Sequence, residues 1–302
     1  MIQYLYLGRV DYDEALRLQQ ELVALRQAGR IDNVLLLLEH PPVLTLGRNA
    51  RRSNILASDE LLAARGVTLH EINRGGDVTY HGPGQLIGYP IFDLRSLRNP
   101  SGHHRLGPVD FVRLMEEALI RLCGEFGVQA GRICGLTGVW CHLQCGSPLD
   151  ESRGTTDKDT PLGERKIAAI GIHVARGITS HGFAFNVRTN LGDFALINPC
   201  GITDRSVTSL EREVAEPSSL PTLESLAHRA ASHFGEVFHE PVALVESIAA
   251  LRAQAGADSD SRDPDSAAPE FSAPEFPAND TPLQIPPEIE RLRHKKDRPV
   301  SA

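Results

Sequence analysis

The chain has 302 residues, 41% of them hydrophobic, and a formal net charge of −8 at pH 7. That length holds one large domain or two small ones around a sizeable core, and the acidic balance argues against nucleic acid or an anionic membrane surface as the main partner. No apolar run approaches the roughly 20 residues of a membrane span. The first residues lack the features of a signal or transit segment, and five cysteines fit reduced thiols better than a disulfide framework, so a cytoplasmic protein is expected.

Residues 11–28 read as a helix, with Leu16, Leu22, Val23 and Leu25 on one face and Gly29 at its end. Asn33 to Glu39 is a continuous apolar run, read as a buried strand, and Val43 to Gly47 as another. Val67–Asn73, Val78–Tyr80 and Gln85–Phe92 read as strands around a glycine-rich segment. Pro108–Phe126 reads as a helix, with Pro in its first turn and Phe111, Leu114, Met115, Ala118, Leu119 and Leu122 on one face. Residues 167–175 and 182–187 read as strands, 222–238 and 242–254 as helices. Central strands flanked by helices predict an α+β fold, a mixed α/β sandwich.

Two segments interrupt this pattern. The polar stretch 142–163 reads as a long loop between strands, an insertion or a mobile lid. Composition breaks near Ala255: the last 48 residues carry eight of the 20 prolines, and Ala-Pro-Glu-Phe occurs twice. Residues 256–302 are therefore expected to be a disordered, Pro-rich acidic tail, leaving 1–255 as a single folded domain. The basic run Arg291–Lys296 reads as a solvated charge run.

Three features carry chemistry. The segment from Arg74 to Gln85 holds four glycines and a proline in twelve residues. It makes a poor core strand and a good backbone cradle, because glycine permits close approach to a ligand and positive φ. Lys166 opens the apolar stretch Ile167-Ala168-Ala169-Ile170, where its ammonium is partly desolvated; a solvent-facing lysine at a loop-to-strand junction fits the same local sequence. Cys200 lies between Pro199 and Gly201, which force a tight turn that projects the side chain and frees neighbouring amides; a small buried hydrophobe is the alternative.

A free thiol with a pKa of about 8.5 is mostly protonated at neutral pH, and an adjacent ammonium lowers that pKa. His81 is a second candidate base, or equally a structural hydrogen-bonding group that fixes the glycine loop. Cradle, lysine and turn cysteine together suggest acyl transfer through a thioester. Cys134, Cys141, His142 and Cys145 depart from the paired-cysteine spacing of structural zinc sites, and no metal is expected. The chain has no Gly-x-x-x-x-Gly-Lys-Ser/Thr phosphate loop, which fits a thioester-to-amide transfer that needs no nucleotide.

The order of the motifs resembles the lipoyl (octanoyl) transferase family. The motifs are Arg74 to Gln85, Arg165-Lys166-Ile167-Ala168-Ala169-Ile170-Gly171, His181-Gly182-Phe183-Ala184-Phe185-Asn186 and Asn198-Pro199-Cys200-Gly201. The resemblance runs from the N-terminus to about residue 240. It implies a fold like the catalytic module of biotin and lipoate protein ligases. The implied reaction moves an octanoyl group from acyl carrier protein to a lysine of lipoyl domains, those of 2-oxoacid dehydrogenase complexes and the glycine-cleavage carrier, without a cofactor. By the same resemblance Cys200 is the nucleophile and Lys166 lowers its pKa. Arg74, Gly75, Gly76, Asp77, Val78, Thr79, Tyr80 and His81, with Ala169, Ile170, Gly171, Gly182, Phe183 and Ala184, line the acyl pocket. The 142–163 insertion is longer than the family pattern, and the Pro-rich tail has no counterpart in it. Rival readings on the same fold are an ATP-dependent lipoate or biotin ligase and an amidotransferase between lipoyl-bearing proteins.

Overall fold

The apolar run Asn33–Glu39 forms a strand at the centre of the fold. A computed structural model of the chain describes residues 1–98, 106–141, 163–198 and 206–257. Within them the strands are β1 (Ile2–Arg9), β2 (Asn33–Glu39), β3 (Val43–Leu46), β4 (Thr68–Glu71), β5 (Val78–His81), β6 (Gln85–Ile91), β7 (Ala130–Ile133), β8 (Leu136–Cys141), β9 (Arg165–Ala175), β10 (Ile178–Asn186), β11 (Ser206–Val207) and β12 (Val242–Leu244). The helices are α1 (Tyr12–Gln27), α2 (Asp59–Ala64), α3 (Pro108–Gly124), α4 (Leu210–Glu213), α5 (Leu223–Phe238) and α6 (Ile248–Ala257).

The large sheet runs β12-β1-β2-β6-β10-β9-β8-β7, with β11 added parallel to the start of β9. A smaller sheet has the order β4-β3-β5. Helices cover both faces of the large sheet, which is why β2 reads as an unbroken apolar run rather than an alternating one. Leu35 and Leu37 join Phe111, Met115, Phe234 and Phe238 of α3 and α5. Val34, Leu36 and Leu38 join Ala15 and Leu22 of α1 and Leu251 of α6. The small sheet has its own core, Leu44, Leu46, Val78 and Tyr80 closed by Phe194, Leu196 and Ile197. The fold is a mixed α/β sandwich, as the sequence pattern implies.

Several elements differ from the sequence reading. Residues 242–254 do not form one helix: Val242–Leu244 pairs parallel with Ile2–Tyr4, and the helix begins at Ile248. Ser247 caps that helix, its hydroxyl accepting the Ala250 N–H at 3.1 Å. The strand expected over 167–175 begins two residues earlier, at Arg165, and the one expected over 182–187 begins at Ile178. The stretch expected as an insertion lies outside the described residues except for Gly163, as does the tail from residue 258. Among the described residues no helix is long and apolar enough to cross a membrane.

One buried carboxylate fastens the far end of the sheet. Glu116 of α3 is fully buried. Its Oε1 accepts the Gly138 N–H at 2.9 Å, and its Oε2 accepts from Arg113 at 2.7 Å and Arg132 at 3.1 Å. Gly138 has φ +123, and a Cβ there would lie 2.5 Å from the Ala168 carbonyl oxygen, so only glycine lets β8 come this close to β9. Glu116→Ala strands that buried N–H and takes one anchor from Arg113, which is exposed, and from Arg132, which keeps Glu117 and the Arg113 carbonyl. It is expected to lower unfolding free energy by about 2 kcal/mol, the order of one unsatisfied buried N–H, read as a fall in the denaturation midpoint at unchanged m-value; a loss under about 1 kcal/mol contradicts this role.

Candidate active site

The glycine-rich segment is fastened to both sheets at once. Its first residue, Arg74, is buried. Nε of that guanidinium donates to Thr45 Oγ1 at 3.2 Å, and Nη2 donates to Thr45 Oγ1 at 2.9 Å and to the Thr45 carbonyl at 2.7 Å. Nη1 donates to the Gly75 carbonyl at 3.0 Å. Gly75 N–H donates to the Ile172 carbonyl at 3.0 Å, which lays the segment across β9. A Cβ on Gly171 would stand 2.7 Å from the Gly75 oxygen, and one on Gly47 would stand 2.4 Å from the Gly76 oxygen. Asp77 ties the segment to the next loop by accepting from Asn54 Nδ2 at 2.5 Å and from the Val78 N–H at 2.7 Å.

Two motifs far apart in the chain become one ladder. Ala169 pairs with Ala184, Ile170 with Phe183 and Gly171 with Gly182 across the antiparallel β9–β10 pair. Paired residues share a face and successive residues alternate faces. Ile170 and Phe183 point to the α3/α5 core, where Phe183 stacks on Phe234 at 5.6 Å between centroids. Ala169, Gly171, Gly182 and Ala184 lie on the opposite face, a floor of small residues that has Gly75 above Gly171 and runs at Ala184 into the core beneath α1. Val78 and Tyr80 place their side chains in the small-sheet core, and Tyr80 donates to Asp193 at 3.0 Å. Thr79 lies opposite Thr45 on β3.

Lys166 is half-buried near the start of β9, its Nζ 4.6 Å from the centroid of the buried Trp140 ring. An aromatic face attracts a cation, so the ammonium is held at the sheet rather than free in solvent. Cys200 lies outside the described residues, but both ends of its segment are anchored. Before it, the Asn198 N–H donates to the Asn54 carbonyl at 2.7 Å. After it, Ser206 and Val207 pair parallel with Arg165 and Lys166, and the Thr208 N–H donates to the Lys166 carbonyl at 2.9 Å.

The sequence matches the model of the lipoyl protein ligase A/B catalytic domain over residues 11–235. It is 58% identical over 247 residues to the octanoyltransferase of Acidobacterium capsulatum, covering 82% of this chain and 94% of that one. It is 52% identical over 248 residues to the octanoyltransferase of Koribacter versatilis, covering 82% and 88%. This chain belongs to the octanoyltransferase family. Among solved structures its fold is similar to the bipartite lipoate protein ligase of Thermoplasma acidophilum, with TM-score 0.58 at 16% identity over 86% of this chain and 92% of that one. It is also similar to a lipoate-protein ligase A bound with ATP, with TM-score 0.52 at 15% identity over 86% and 95%. At such identities the likeness is one of fold.

His81 of this family member sits inside a buried polar chain whose direction is set from one end. The Thr208 carbonyl can only accept, so Asn186 must present Nδ2 to it, at 2.9 Å. Asn186 Oδ1 then accepts from Gln85 Nε2 at 2.8 Å, and Gln85 Oε1 accepts from His81 Nδ1 at 2.9 Å. That leaves His81 Nε2 as an acceptor facing Thr45 Oγ1 at 3.5 Å. Burial pushes the His81 pKa down to about 3, and the neighbouring His40, Arg74 and His181, each able to carry positive charge, lower it further. Thr45, Trp140 and Thr208 carried no signal in the sequence reading. Gln85 and Asn186 stood in recognised motifs without a role.

His40 and His181 are likewise kept neutral, mainly by burial, with pKa values lowered to about 4 and about 3. His40 donates Nδ1–H to the Val10 carbonyl at 2.7 Å, and His181 donates Nε2–H to Asn73 Oδ1 at 2.7 Å. Unfolded histidines titrate near 6.5, so between that pH and the folded values the unfolded chain binds more protons and stability falls as pH drops. Each such histidine steepens the fall by up to about 1.4 kcal/mol per pH unit. His181 has φ +55, a conformation that asparagine tolerates. His181→Asn is expected to flatten the pH dependence of unfolding free energy between pH 6 and 5 by about one proton's worth; an unchanged slope contradicts the assignment.

Proposed function

We propose that this acyltransferase moves an octanoyl group from octanoyl-acyl carrier protein to the lysine of a lipoyl domain, by way of a thioester on Cys200. The observation that carries the reading is the pairing of β11 with Arg165–Lys166. It sets Ser206 and Val207, which follow the Cys200 segment in the chain, beside a lysine held against the sheet. The segment from Arg74 to Gly76 and the small floor of Ala169, Gly171, Gly182 and Ala184 enclose the acyl chain. Val78, Tyr80, Phe183 and Ala184 shape that space through their backbones, because their side chains belong to the cores.

Lys166 stabilises the Cys200 thiolate, which attacks the octanoyl carbonyl, while amides of the Pro199–Gly201 turn stabilise the oxyanion. The carrier thiolate leaves and takes a proton from Lys166. The incoming lysine arrives as an ammonium and passes one proton to the now neutral Lys166. Its nitrogen then attacks the thioester carbon, releases a second proton to water and expels the Cys200 thiolate, which restores the starting ion pair. His81 holds the loop and does not act as the base, since both ring nitrogens are engaged within the buried chain.

The test is intact mass after incubation with octanoyl-acyl carrier protein and no ATP. A gain of one octanoyl group, removed by hydroxylamine and absent in Cys200→Ser and Cys200→Ala, is expected. Labelling of a lipoyl domain only with ATP and free octanoate would overturn the reading in favour of a ligase. Lys166→Met is expected to slow acyl-enzyme formation by at least about tenfold at pH 7, as for a thiolate pKa raised by a unit or more.

A further inference from the structure

Thr208 is held on every polar side. Its N–H donates to the Lys166 carbonyl at 2.9 Å and its carbonyl accepts Asn186 Nδ2 at 2.9 Å. Its hydroxyl donates to Glu213 Oε1, and Glu213 in turn accepts a two-pronged bond from Arg165 Nε and Nη2 at 3.1 and 2.9 Å. One residue thus grips the backbone of Lys166 and, through Glu213, the side chain of Arg165 beside it. Thr208, Asn186 and Gln85 are all buried, so a broken link there is not replaced by water at no cost.

We infer that Gln85 and Asn186 are positioning residues for acyl transfer: their amides run from the glycine-rich segment to the Thr208 peptide and thereby fix the backbone that carries Lys166. The inference rests on the Cys200–Lys166 reading above. The acyl-binding segment and the charge that activates the thiol are held in one register by a single chain of hydrogen bonds, Arg74 to Thr45, His81, Gln85, Asn186 and Thr208. Neither amide touches the reacting atoms. Their effect is on where Lys166 stands, and through it on the thiol.

Two substitutions break the same link by different chemistry. Asn186→Asp keeps the shape and the acceptor toward Gln85 but sets a carboxylate oxygen against the Thr208 carbonyl. Gln85→Glu keeps the acceptor toward His81, and its new carboxylate draws the Asn186 amide nitrogen to itself, turning the Asn186 oxygen toward Thr208. Both are expected to speed hydrogen exchange of the Thr208 amide by at least about tenfold. Both are expected to raise the pH at which Cys200 is half-alkylated by about one unit, read on the Cys200 peptide by mass, and to lower kcat about tenfold or more with the donor KM within about twofold.

A folded variant of either kind that keeps wild-type thiol titration and kcat overturns the inference. So does unchanged Thr208 exchange. If Asn186→Asp does not fold, Gln85→Glu decides. The parent reading fails in a different way: the wild-type Cys200 thiol itself then titrates near 8.5 and does not respond to Lys166→Met.

Discussion

A guanidinium taken out of water must keep its hydrogen bonds, and Arg74 keeps them with Thr45 and with its own neighbour Gly75. Because Thr45 lies in the middle of β3, those bonds weld the glycine-rich loop to the small sheet. The Gly75 N–H then welds it to β9 of the large sheet. A loop with so many glycines has high conformational entropy when free. The buried guanidinium removes that freedom in one place, and the close approaches at Gly47 and Gly171 follow from it.

The same economy of placement orders the polar interior. Burial is the main reason His40, His81 and His181 stay neutral, with the Arg74 guanidinium adding to it at His81 and His181, and each imidazole holds a fixed hydrogen-bond partner. A neutral imidazole is both donor and acceptor, which lets His81 pass a hydrogen-bond direction from Thr208 back to Thr45. A lysine or carboxylate in that place would either break the direction or carry a second charge into the interior.

Much of the framework was legible in the sequence, for physical reasons that differ by element. Asn33–Glu39 was readable because a strand covered on both faces is apolar throughout, and α3 because its apolar face repeats at helical spacing. The first strand, Ile2–Arg9, was missed because it was weighed only as a leader, and β7 and β8 are short strands interrupted by Gly131, Gly135 and Gly138 for which the sequence pattern yielded no element. Residues 242–244 were taken into a helix, since three residues give too short a window to separate a period of 2.0 from 3.6. In the site, the glycine-rich segment, Lys166 and the small-residue motifs stood out by composition. Thr45, Trp140 and Thr208 did not, because their importance comes from register and burial that no local pattern encodes. The register Gly171 to Gly182 is likewise a tertiary fact, visible only once β9 and β10 are paired.

On the proposed mechanism the cysteine and lysine act as a pair beside the small-residue floor. The most direct measurement is a crystal structure of the enzyme trapped with its octanoyl group. The octanoyl chain is expected on Cys200 Sγ, running between Gly75 and the floor of Gly171 and Gly182, with Lys166 Nζ within about 6 Å of the sulfur, the range in which opposite charges shift a pKa. A thioester elsewhere, or Cys200 facing solvent while Lys166 stays over Trp140 beyond that range, would contradict it.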